Sequence, residues 1–186
     1  MKVLGIAFDE VRIPLYQPGS KERILAYSKA GKVPVLKDGD TVVWDSLAIL
    51  EYLAEKHPQM WPGDRAQRAK ARSIAAEMHS GFAKLREHMS MNTRKSYPGK
   101  GRTPEVLADI ARIDTIWSEA KGPFLFGAFT AADAMYAPVV LRFRTYEVEV
   151  RKKSYMDAML ALPAMREWIE AAEREAESIP SQDLYG

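Results

Sequence analysis

The chain contains no cysteine. That excludes a disulfide framework, a thiolate nucleophile and any zinc site built on cysteine, so thiol chemistry must come from a ligand. Histidine is scarce, with His57, His79 and His88 scattered along the sequence, and no metal site is expected from them. Neither sign of charge dominates: 27 Lys and Arg stand against 25 Asp and Glu, a formal net charge of +2. Nucleic-acid binders rely on a basic surface that neutralises phosphates, so no nucleic-acid partner is expected. No apolar run approaches membrane-spanning length, and Met1-Lys2-Val3-Leu4-Gly5 is too short and mixed for a signal peptide. No membrane partner is therefore expected, and a cytoplasmic location is. What is present, 186 residues that are 47% hydrophobic and 28% charged, suffices to bury a core in one unit or two small lobes.

Val3-Leu4-Gly5 reads as the last turn of a helix closed by a left-handed glycine. A single turn cannot nucleate alone, so the chain reads as clipped upstream. Val11, Ile13 and Leu15 alternate with Arg12 and Pro14, predicting a short strand that Pro14 moves to an edge. Ser20 is positioned to cap a helix from Lys21 to Ala30, stopped by Gly31. Val33 to Leu36, the turn Lys37-Asp38-Gly39-Asp40 and Thr41 to Trp44 predict a β-hairpin. From Asp45-Ser46 a helix runs to His57; it is apolar nearly all round and so expected to be buried.

Pro58, Pro62 and Gly63 then break the pattern, which divides the chain into residues 1–58, a linker at 59–63 and an all-helical part at 64–186. In the last part a stripe at Ala71, Ala75, Met78, Phe82, Leu85 and Met89 predicts one long amphipathic helix. Thr103-Pro104-Glu105 opens a second, directing Leu107, Ile110, Ile113 and Trp117 inward. Thr130-Ala131-Ala132-Asp133 is a capping box with Asp in place of Glu, ahead of a helix with little polar face. Met165, Trp168, Ile169 and Ala172 mark a final helix, with a polar tail after Ser178.

This order, with Lys32-Val33-Pro34-Val35-Leu36, Trp44-Asp45-Ser46 and Phe124-Leu125-Phe126-Gly127 leading to Thr130-Ala131-Ala132-Asp133, resembles the cytosolic glutathione transferases. The resemblance implies an α/β plus all-α fold: an incomplete thioredoxin-like N-terminal domain, then a helical-bundle C-terminal domain. It also implies glutathione as co-substrate and assigns the residues that hold it. In the family the proline matching Pro34 follows a cis peptide bond that turns the backbone, which implies that Val33 offers main-chain N–H and C=O to the cysteinyl part. Ser46, at a helix start, is implied to hold the γ-glutamyl carboxylate through N–H and hydroxyl. Asp45 is implied to accept from the γ-glutamyl ammonium, and Lys32 to reach the glycyl carboxylate. Singly, Val-Pro-Val is a common strand start and Asp-Ser an ordinary helix cap; their spacing about a hairpin favours the ligand. Glu77 and His79, two apart on a helix, do not face each other and cannot form a dyad. The basic stretches Arg94-Lys95, Lys100 with Arg102, and Arg151-Lys152-Lys153 read as solvated.

Family members activate the thiol with a Tyr, Ser or Cys at the end of the first strand or the start of the first helix. Val3-Leu4-Gly5 and Phe8 to Val11 align with the end of that helix and the second strand, so the activating position falls before Met1 and the catalytic residue is unknown. The implied activity is conjugation of the glutathione thiol to a small electrophile, with the thiol pKa brought down from about 8.5. Two alternatives accompany it: a non-enzymatic glutathione-transferase-like binding or interaction module, and a glutathione-dependent isomerase of zeta-like type. A homodimer is also implied.

Overall fold

A computed structural model describes residues 1–186, except for the side chain of Ser181. The chain divides into two compact units, Met1–Met60 and Trp61–Gly186.

The first unit opens with a 3-10 turn, Lys2–Leu4, closed by Gly5 at φ 65. Residues 6–14 form no strand. The alternation at Val11 and Ile13 predicts one, but a strand is defined by its ladder, and among the described residues no β-ladder includes this segment; Val11 is 59% exposed. Ser20 does not cap the next helix. Gly19 occupies the cap of α1 (Ser20–Leu25), while the Ser20 hydroxyl turns back, donating to the Pro14 carbonyl at 2.6 Å and accepting from the Gln17 N–H at 3.0 Å. The helix is accordingly shorter than its sequence pattern predicts.

The hairpin joins β1 (Val35–Asp38) and β2 (Thr41–Trp44) in antiparallel register, with Asp38 opposite Thr41 at the turn and Val35 opposite Trp44 at the open end. Gly39 at φ 58 supplies the positive φ that a two-residue hairpin turn requires. Helix α2 (Ser46–Lys56) packs against the hairpin. Tyr52 and Lys56, one turn apart, both donate to Asp38 Oδ2, at 2.9 and 3.1 Å. The expected burial of α2 is not observed, since Ala54 is its one fully buried residue among those described. A helix apolar all round needs cover on several faces; the two-stranded sheet offers one.

Residues 58–60 form a 3-10 turn, and Met60 and Trp61 are buried. In the second unit the Arg72 guanidinium lies over the Trp61 ring, 5.6 Å from its centroid. Helix α3 (Arg65–Ser80) is capped by Asp64, whose Oδ1 accepts from the Gln67 N–H at 2.8 Å. Asp64→Ala is expected to lower stability by about 1 kcal/mol, read as a lower midpoint in thermal unfolding.

The single long helix predicted over 71–89 is two, α3 and α4 (Ala83–His88), broken at Gly81 and at Phe82, which has φ 56. All six residues of the stripe are nevertheless buried. Helix α4 has no cap of its own; Asp109 of α5 (Pro104–Ser118) accepts from the Leu85 N–H at 3.0 Å. At the other end of α4 Gly101, at φ 70, lies where a Cβ would come within 2.3 Å of the His88 carbonyl oxygen. The cap at Thr103 forms as its sequence predicts, accepting from the Val106 N–H at 3.3 Å. Ile113 and Trp117 of α5 are buried, whereas Leu107 is 47% exposed.

The core surrounds α6 (Ala131–Thr145), most of which is buried and which packs on α3. Trp117 is surrounded by the rings of Tyr136, Phe143 and Tyr155, with centroids 6.1, 5.1 and 4.9 Å away. Helices α7 (Lys153–Ala161) and α8 (Pro163–Arg174) complete the unit. Arg151 is not simply solvated: its N–H and Nε donate to the two oxygens of Asp114, at 2.8 and 2.6 Å. The chain thus combines a small α/β unit with an all-α unit.

Candidate functional site

The hairpin register brings the sequence-predicted residues to one end of the first unit. Val35 pairs with Trp44, so Val33-Pro34 enters and Asp45-Ser46 leaves the hairpin side by side. The Val33–Pro34 peptide bond is cis. Val33 is 48% exposed, and Lys32, just before it, is exposed as well.

Asp45 has φ 77 and ψ 131, a combination that residues with a Cβ rarely adopt and one that marks sites where local geometry serves a purpose. This strained residue is also the helix cap: its Oδ1 accepts from the Leu47 N–H at 3.0 Å and the Ala48 N–H at 3.4 Å. The Ser46 N–H and hydroxyl stay uncommitted among the described residues, at the positive end of an 11-residue helix. The site therefore places a carboxylate next to N–H and O–H donors in close sequence, suited to a ligand that has both an ammonium and a carboxylate.

Other sequence-predicted groups lie elsewhere. Glu77 accepts two bonds from Arg112, Nε to Oε1 at 2.6 Å and Nη2 to Oε2 at 2.8 Å, and the Arg112 hydrogen bond holds its carboxyl below the usual carboxylate range. It ties α3 to α5. Tyr16 is 74% exposed at φ 57. The Asp45 backbone conformation is the feature of the site that sequence reasoning missed; Asp is tolerated at positive φ more than most residues, a weak signal.

The N-terminal domain profile of the glutathione S-transferases matches residues 1–64, and the C-terminal domain profile of the same family matches residues 65–171. Similar curated proteins include a probable maleylacetoacetate isomerase of Caenorhabditis elegans, 24% identical over 78% of this chain and 72% of that protein. Another is glutathione S-transferase T1 of Arabidopsis thaliana, 29% identical over 68% of this chain and 58% of that protein. A crystal structure of a glutathione transferase homolog from Burkholderia GL BGR1, with bound glutathione, superposes with a TM-score of 0.69 at 22% identity, covering 94% of this chain and 88% of that one. With both domain profiles matched in order along its length, the chain belongs to the glutathione S-transferase family.

Proposed function

We propose that this protein is a glutathione transferase that binds glutathione as co-substrate through the thioredoxin-like part, residues 1–58, and joins its thiol to a small electrophile. The observation that carries this reading is the hairpin register, which sets Val33-Pro34 beside the Asp45-Ser46 helix start at one end of a single hairpin. An extended tripeptide can pair its backbone with the main chain of Val33, in the manner of an added strand. Its γ-glutamyl carboxylate then meets the Ser46 N–H and hydroxyl at the helix N-terminus, and its ammonium meets the Asp45 carboxylate. Lys32 takes the glycyl carboxylate. Holding the cysteinyl sulfur in a fixed place and favouring its thiolate brings a thiol of pKa about 8.5 into use at neutral pH.

The proposal includes a homodimer in the cytoplasm, the dimer being tested by sedimentation equilibrium. A second reading, a glutathione-dependent isomerase of zeta-like type, is favoured by the similarity to the worm protein named as a probable maleylacetoacetate isomerase; there glutathione would be returned unchanged. Retention on immobilised glutathione together with conjugation of a chlorinated dinitrobenzene is the expected result. Retention without turnover of either substrate class would point instead to a binding module, and no retention would remove the glutathione site.

A further inference from the structure

Residues 89–97 are fastened to α6 independently of anything that follows α8. Arg142 Nε donates to the Met89 carbonyl at 2.9 Å, the Ser90 and Tyr146 hydroxyls lie 3.3 Å apart, Thr145 Oγ1 donates to the Asn92 carbonyl at 2.6 Å, and the Tyr97 N–H donates to the Thr145 carbonyl at 2.7 Å. The chain after α8 then returns across this platform. Arg94 donates to the carbonyls of Glu175 and Glu177, at 2.8 and 3.2 Å. Asp183 accepts from Lys95 Nζ at 2.9 Å, from Asn92 Nδ2 at 3.3 Å and from the Tyr97 hydroxyl. Tyr185 donates to the His88 carbonyl at 2.9 Å and sets its ring edge-on to Tyr97 and Tyr146, with centroids 5.6 and 6.0 Å away. The stretches read from sequence as a solvated basic loop and a polar tail hold each other.

We infer that residues 175–186 form a releasable strap, fastened at Asp183, that closes over the Tyr97–Tyr146 pair. The fastening is polar and the strap has almost no core of its own: Leu184 is 45% and Tyr185 37% exposed. Ordering a segment of this length costs backbone entropy at every residue, and the hydrogen bonds that offset it are mostly exposed to water, so the strap belongs to the part of the molecule that opens locally at low free energy. Tyr97 and Tyr146 beneath it are buried. Opening bares two phenols and the Ser90 hydroxyl on a platform that stays in place, a surface of ring faces and hydrogen-bonding groups that the closed strap withholds.

The test uses the full chain and compares wild type, Asp183→Asn and, as control, Asp157→Asn, which breaks only an exposed pair with Lys153. Hydrogen exchange across 176–186 is expected to rise roughly tenfold in Asp183→Asn, the loss attending removal of bonds to a charged group. Exchange in residues 89–97 and α6 is expected to stay as in wild type while nitration of Tyr97 increases, and Asp157→Asn is expected to change neither. Unchanged exchange and nitration in Asp183→Asn would overturn the strap. A joint rise through 89–97 and α6 would do so too, by making the segment part of one packed unit.

Discussion

Asp133→Ala is expected to lower the unfolding free energy by about 3 kcal/mol, from two orphaned buried N–H groups at about 1–3 kcal/mol each. The Asp133 side chain is fully buried; Oδ1 accepts from the Leu125 N–H at 3.0 Å, and Oδ2 accepts from the Thr130 N–H at 2.8 Å and the Thr130 hydroxyl at 2.9 Å. The capping box accounts for the Thr130 contacts and by itself suggests about 1 kcal/mol. The bond to Leu125 adds to this by pinning the Phe124–Gly127 turn onto the start of the central helix. Asp133→Asn retains acceptor capacity on one side only and is expected to fall between wild type and alanine. Urea unfolding measures both, and a loss below half a kilocalorie for alanine would contradict the account.

The same carboxylate gives a pH signature. Burial is the largest influence on it and raises its pKa above the ordinary 3.8, against the hydrogen bonds that favour the charged form. The unfolded chain therefore ionises first, and this group's contribution makes stability fall as pH rises from the ordinary value through the raised one. Asp133→Asn should lack that component of the slope, which parallel unfolding series at pH 4 to 7 can read.

Ser46→Ala is expected to weaken glutathione binding about tenfold, the scale of one hydrogen bond to a charged group. The change should leave folding nearly untouched, because the cap of α2 belongs to Asp45 and not to Ser46. Asp45→Ala behaves differently: it removes both the proposed ammonium contact and the cap, so affinity and stability should fall together. Asp45→Asn keeps an oxygen for the cap and loses the charge, so affinity should fall with little change in stability. Calorimetric titration beside thermal unfolding separates the three variants. Equal affinity in Ser46→Ala and wild type would remove that residue from the site.

The elements legible in the sequence are those whose cause is local. Asp38-Gly39 sets the hairpin turn, Asp64 and Thr103 cap the helices that follow them, and Thr130 with Asp133 closes its own box. What escaped has distant causes. The break between α3 and α4 is supported by a carboxylate 24 positions from the amide it caps, while the hydrophobic stripe continues across it. The strand predicted at Val11 and Ile13 fails because pairing requires a neighbour that periodicity does not supply. Asp183 meets Tyr97 and Lys95 across more than eighty residues, and a polar tail carries no mark of such a partner. At the candidate site the hairpin and the helix start are legible, whereas the positive φ of Asp45 is not.

The most direct test is titration of the full chain with reduced glutathione, followed by backbone amide chemical shifts. The account predicts saturable changes concentrated at Lys32, Val33, Asp45 and Ser46. Absence of saturation at millimolar glutathione, or saturable changes confined to other residues, would contradict it.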